Sequence, residues 1–184
     1  SAEEGVLPEG VTATASRVNE DVEATVADRM TEDGKSVSSV MAFDINLWLG
    51  DQLLDSEIWG GSQKVTVTFS GQPIEENTAE ADTVETVYVE TVYDNDKAAK
   101  EQIEVAAADV TNVVSVSEEI DIAEAGISAV SFEAEHFSIY AVVGSTKYED
   151  SYEMYPGETL RLYVDANRWS GEGTWSSSSE HVTL

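Results

Sequence analysis

His136-Phe137-Ser138-Ile139-Tyr140-Ala141-Val142-Val143-Gly144 is the stretch on which the fold turns. It is apolar, β-branched and aromatic, and a glycine ends it, which is the signature of a strand. It closes a long strand-rich region. It also holds one of only two histidines in the chain, directly before a Phe-Ser bond. Two readings follow from that placement, a last structural strand and a self-cleaving backbone site.

Working outward from this stretch, Val11 to Ser16 alternates and is rich in β-branched residues, so a strand is expected after the Pro8-Glu9-Gly10 turn. Asn19 to Met30 carries Val22, Val26 and Met30 on one helical face. Asn19 is placed to cap that helix and Asp33-Gly34 to stop it. Val37 to Leu49 reads as one long strand and Lys64 to Ser70 as another, the latter ended by Gly71-Gln72-Pro73. Glu75 to Asp82 reads as an acidic, solvated loop. Val84 to Tyr93 is expected as a strand with Val84, Thr86, Tyr88, Glu90 and Val92 on one face. Gln102 to Ala106, Val110 to Val116 and Ser128 to Ala134 continue the meander, and His136 to Val143 completes it. The expected class is mainly β: an antiparallel β-sandwich with one short helix over residues 1–144. Gly144-Ser145-Thr146 marks a boundary. Residues 145–184 then begin a truncated immunoglobulin-like β module, since about 40 residues fall below the size that usually folds alone.

Of 184 residues, 41% are hydrophobic, enough for a real core. Acidic residues number 37 against 9 basic ones, a net charge of −28. So acidic a surface repels phosphate backbones and anionic headgroups, which argues against nucleic-acid and membrane-surface partners. No cysteine is present, which removes disulfides, thiol nucleophiles and thiolate metal sites. Extracellular proteins of Gram-positive bacteria fit that composition better than disulfide-stapled secreted domains. No apolar run approaches the roughly 18–20 residues that span a bilayer. Ser1-Ala2-Glu3-Glu4 reads as a cut end, with any signal or wall anchor expected outside this fragment.

Two stretches resemble known families. Pro156-Gly157-Glu158-Thr159-Leu160, followed by Thr174-Trp175-Ser176-Ser177-Ser178, resembles the opening of a group 2 bacterial immunoglobulin-like domain. The match covers about the first half of such a domain. That resemblance implies a repeated spacer or adhesive unit on a bacterial surface. Ser131 to Val143 resembles the end of a domain common in large surface proteins of gut Firmicutes, which reads roughly FETxxFSxYAVV. Leu7-Pro8-Glu9-Gly10 resembles that domain's usual opening, so the likeness spans about residues 5–144 and is carried by its two ends. The same ending is similar to the β-sandwich domain of ankyrins and netrin receptors, and to self-cleaving relatives in the death-domain protein PIDD and in inflammasome sensors with a function-to-find domain. In the self-cleaving members the bond cut is Phe-Ser, with a His as helper. His136, Phe137 and Ser138 match that pattern residue for residue.

If the chain cleaves itself, the Ser138 hydroxyl attacks the Phe137 carbonyl, His136 takes the proton, and water hydrolyses the resulting ester. That step needs a distorted peptide. The competing and favoured reading makes Phe137 and Tyr140 packing residues of the last strand, with His136 a half-exposed neighbour. Asp94-Asn95-Asp96 suggests an oxygen-ligand loop but lacks the spacing of a calcium site, and a hairpin turn is the favoured reading. Lys64 is the most plausible donor for an intramolecular isopeptide bond, and more simply a charge guarding a strand edge. Trp48 and Trp59 could stack on sugar rings, but core or rim positions are the more ordinary use of such residues. His136 and His181 fall in different modules, so no Ser-His-Asp triad is suggested. Gly60-Gly61 and Gly171-Glu172-Gly173 are turns, not phosphate loops. No cofactor or metal is expected. The sequence therefore points to a non-catalytic adhesin or stalk module of an extracellular or cell-wall protein, whose partners would be a host protein or glycan and its own neighbouring domains; the alternatives are the self-cleaving domain and a module dedicated to binding a host glycoprotein or glycan.

Overall fold

The computed structural model describes residues 6–54, 65–93, 98–99, 101–122, 126–134 and 137–147. The chain divides into two compact units, Ser1–Glu149 and Asp150–Leu184. All described residues belong to the first. The immunoglobulin-like match, His181, His136, Lys64, Trp59 and Asp94-Asn95-Asp96 lie outside the described residues.

The first unit is mainly antiparallel β. Its strands are β1 (Val11–Arg17), β2 (Val37–Leu49), β3 (Gln52–Leu53), β4 (Val65–Ser70), β5 (Thr83–Thr91), β6 (Val110–Ser115), β7 (Ile120–Asp121), β8 (Ala129–Ala134) and β9 (Ile139–Ser145). Its fully described α-helices are α1 (Glu20–Glu32) and α2 (Gln72–Thr78), and a 3-10 turn covers Ala107–Asp109. The larger sheet runs β1-β2-β9-β5-β6, with β3 added to β2 and β7 to β5. A ladder of β4 and β8 forms the second sheet. Every described pairing is antiparallel.

The order is not a simple meander. The last described strand, β9, inserts between β2 and β5 and is the centre of the large sheet. All seven of its residues are buried. Strand side chains alternate between faces, so both faces of the sheet must be covered at this point. Ile139, Ala141 and Val143 meet Val22, Val26 and Met30 of α1 on one face. Tyr140 and Val142 meet Phe69, Val130 and Phe132 of the β4–β8 ladder, with Ile74 of α2, on the other. Each fully buried Val or Ile of this kind stabilises the fold by about 1.5–3 kcal/mol, so β9 seats both halves of the core.

α1 forms where its pattern places it. The Asn19 side-chain carbonyl accepts from the Val22 N–H at 3.0 Å. Glu20, Asp21 and Glu23 set negative charge in the first turn, and Arg29 sets a positive one in the last. Gly34 takes φ +89°, a conformation that favours glycine. Beyond it the Lys35 N–H returns to the Met30 carbonyl at 3.0 Å and closes the helix.

Three expectations change. The stretch from Gln72 is a helix rather than the end of a strand followed by an acidic loop. Pro73 suits its first turn, because φ is already helical there and no N–H is needed. Ile74 and Thr78, four residues apart, turn inward while the glutamates face water. Gln102 to Ala106 is not a strand. Gln102 adopts a left-handed φ of 54°, and Ile103 donates to the Ala98 carbonyl at 2.9 Å, closing a turn. β5 does not have one apolar face but two: Val84 and Tyr88 join one cluster and Val87 and Val89 the other, while Val92 falls beyond the strand and is exposed.

Candidate functional site

The residues singled out for chemistry sit at the start of β9. Ser138 directly precedes the strand and is buried, 5% exposed. Its carbonyl accepts from the Ile45 N–H at 2.9 Å, which extends the β2–β9 ladder by one bond. Phe137 is half-buried and packs against the aromatic cluster. In that cluster Phe43 stacks on Phe69 at 4.8 Å, Phe69 meets Phe132 at 5.6 Å, and Phe132 meets Tyr140 at 4.6 Å. Such ring pairs add about 0.5–1.5 kcal/mol each beyond their buried area. Phe137 and Tyr140 are therefore packing residues of the sheet centre.

Trp48, the sugar-stacking candidate within the described residues, is half-buried on β2. Its indole N–H donates to Thr14 Oγ1 at 3.0 Å, across the β1–β2 ladder. Among the described residues no group of three or more His, Asp or Glu side chains converges as a metal site. No described helix is long and apolar enough to cross a membrane.

Two polar constellations were not visible in the sequence, one on β2 where β1 ends and one where β9 leaves the sheet. The first stands where β1 leaves the sheet. β2 turns the backbone of Ala42 toward β1's side, but β1 ends opposite Phe43. The Ala42 carbonyl accepts from the Val18 N–H at 3.1 Å. The Ala42 N–H goes to Glu23 Oε1 at 3.0 Å. Glu23 is buried, and it also holds Arg17 in two bonds, from Nε at 3.0 Å and from Nη2 at 2.9 Å. That fork raises the Arg17 pKa against the opposing effect of desolvation. A helix carboxylate thus completes the ladder of a strand that has lost its neighbour.

The second stands beside the Val37 end of β2, where β9 leaves. Thr146 N–H donates to the Ser36 carbonyl at 2.8 Å, and Asp82 N–H to the Ser145 carbonyl at 2.9 Å. Lys147 N–H donates to Asp82 Oδ2 at 2.7 Å. Close by, Lys35 bridges Glu119 and the buried Glu85, whose Oε1 is 3.0 Å from Lys35 Nζ. Ser115 Oγ donates to the other Glu85 oxygen at 2.7 Å. The Glu119 hydrogen bond raises the Lys35 pKa, and Lys35 in turn lowers that of Glu119. One carboxylate runs the other way: burial raises the Asp44 pKa, opposed by a 3.1 Å bond from Asn46 Nδ2.

The first brace lies near the middle of β2, at Ala42, and the second beside its Val37 end. The chain enters the sheet at Val11, which faces Leu49 at the end of β2. It leaves at Ser145, which faces Val37 at the beginning of β2. Thirteen residues separate those levels, inclusive, so the points where the chain enters and leaves the sheet stand about 40 Å apart along the strand axis. No family model, curated protein or solved structure matches the chain.

Proposed function

We propose that this chain is a non-catalytic module of a bacterial extracellular or cell-wall surface protein, acting as a stalk or spacer that carries adhesive domains away from the cell. The observation that supports this most is the axial path of the backbone. A unit entered at one end of its longest strand and left at the other adds its full length to a tandem array, whereas a unit with adjacent termini adds little. The resemblance of its ending to surface proteins of gut Firmicutes, and of the following stretch to bacterial immunoglobulin-like repeats, supports the same reading. The charge of −28 keeps such an exposed array from self-association and from anionic surfaces.

Antibodies against the chain are expected to label intact, unpermeabilised cells of the source bacterium, and protease shaving should remove the label. Labelling only after lysis would overturn the surface assignment. On the chemistry, intact-mass analysis after prolonged incubation should give one species of 19.9 kDa, unchanged by Ser138→Ala. Two fragments meeting at Phe137–Ser138 and absent in that variant would replace the non-catalytic reading with self-processing.

A further inference from the structure

We infer that β1 is a mechanical lock: tension along the unit loads the β1–β2 ladder in shear, and the strength of the whole unit is set by that one ladder. The inference deepens the spacer reading and rests on it for its purpose, although the geometry belongs to the fold alone.

The path of force follows from the pairings. β1 and β9 run in the same direction on either side of β2, and both are antiparallel to it. Pulling the chain before Val11 drags β1 toward the Leu49 end of β2. Pulling the chain after Ser145 drags β9 toward the Val37 end. Antiparallel hydrogen bonds lie perpendicular to the strands, so this load strains the bonds of each ladder together instead of opening them in turn.

The two ladders are not equally held. β9 is paired on both sides and buried along its whole length. β1 pairs with β2 through seven residues, and six of those residues are exposed. β1 therefore yields first. Behind it stands α1, which grips the sheet with side chains and the Glu23 bond to Ala42 but has no ladder. Once both are drawn out, the load reaches β2 at Val37, directly beside Ser145. The same two strands are then pulled apart from one end, pair by pair. Nothing after β1 resists as a unit, so its release commits the rest to unfold.

The ladder's phase makes the inference specific. Val18 N–H donates to the Ala42 carbonyl, and Ile45 N–H to the Ser138 carbonyl. Even-numbered residues of β2 thus turn their backbone groups to β1 and odd-numbered ones to β9. By the same alternation Thr12, Thr14 and Ser16 direct their N–H groups at β2, while Ala13, Ala15 and Arg17 direct theirs outward. Proline removes an N–H, so Ser16→Pro cuts a bond of the lock and Ala15→Pro cuts none.

The test is single-molecule pulling on the full chain. It has no native cysteine, so introduced thiols give unique handles. Glu9→Cys with Glu149→Cys loads the first unit along its axis. Glu9→Cys with Asp51→Cys pulls β1 and the end of β2 apart from one end. The axial rupture force should be several-fold the peeling force. In the axial geometry Ser16→Pro should bring it down toward the peeling value, and Ala15→Pro should leave it unchanged. Equal forces in the two geometries, or equal losses in the two proline variants, would overturn the inference. If Ser16→Pro does not fold, the comparison of the two geometries decides by itself. Surface labelling is unaffected by any of these results, so the spacer reading and the lock fail separately.

Discussion

Replacing Glu23 tests how the fold handles the place where β1 runs out. The carboxylate meets three donors at 2.9–3.0 Å: the Ala42 N–H and two guanidinium nitrogens of Arg17. Glu23→Ala leaves the buried Ala42 N–H without an acceptor, at about 1–3 kcal/mol. The Arg17 side chain is 54% exposed and returns to water, so its pair contributes about 0–1 kcal/mol. Loss of negative charge in the first helical turn adds about 0.3–1 kcal/mol. The variant should therefore lose about 2–4 kcal/mol, the Ala42 N–H being the largest part. Glu23→Gln keeps a carbonyl oxygen for Ala42 but replaces the oxygen facing Arg17 Nη2 with an amide donor, giving up that exposed pair and the first-turn charge, so it should lose about 1 kcal/mol, less than the alanine variant. Denaturant unfolding with an unchanged m-value reads both as shifts in midpoint. The reasoning fails if Glu23→Ala lies within about 0.5 kcal/mol of the parent chain, the range of ordinary surface substitutions. It fails equally if the glutamine variant is as unstable as the alanine one.

Two further outcomes are expected. Gly144→Ala should destabilise by about 1–3 kcal/mol. A methyl group there would come within 2.5 Å of Ser39 Oγ and 2.9 Å of Ala81 Cβ at the packed centre of the sheet. A thermal or denaturant midpoint equal to the parent's would show that the centre can give way. Asp44→Asn should stabilise the chain at neutral pH. Burial lifts the folded-state pKa of Asp44 above its ordinary 3.8. The unfolded chain therefore releases this proton first, and stability falls as pH rises through the window between the two values. The advantage of the asparagine variant should close as pH drops below 3.8. An advantage that persists undiminished there would refute desolvation as its origin. The Lys35–Glu119 pair acts in the opposite sense. Its stabilisation is present above the ordinary 4.5 of Glu119 and is lost as pH falls through the lowered folded value. It cancels when the two chains are compared.

The sequence by itself determined what depends on neighbours along the chain. The spacing of Val22, Val26 and Met30, with Asn19 before them, fixes α1, because capping and helical periodicity are local. Alternation and β-branching locate β1, β2, β4 and β8 within a residue or two for the same reason. The helix at Gln72 was legible in principle through the i, i+4 pair Ile74 and Thr78, but Gly71 and Pro73 also read as a strand stop. The packing role of Phe137 and Tyr140 was legible from their apolar character, whereas the burial of Ser138 was not.

Only the tertiary structure decided which strands pair, because hydrogen-bonding groups are the same at every residue and carry no address. That β9, last of the described strands, becomes the central strand between β2 and β5 follows from covering both of its apolar faces at once, with α1 on one side and the β4–β8 ladder on the other. The Glu23 bond to Ala42 and the bracing of Ser145 and Thr146 join residues far apart in the chain and arise only after that assembly. The axial path through the unit, on which its proposed role depends, is a property of strand order and direction, and no local pattern of residues encodes it.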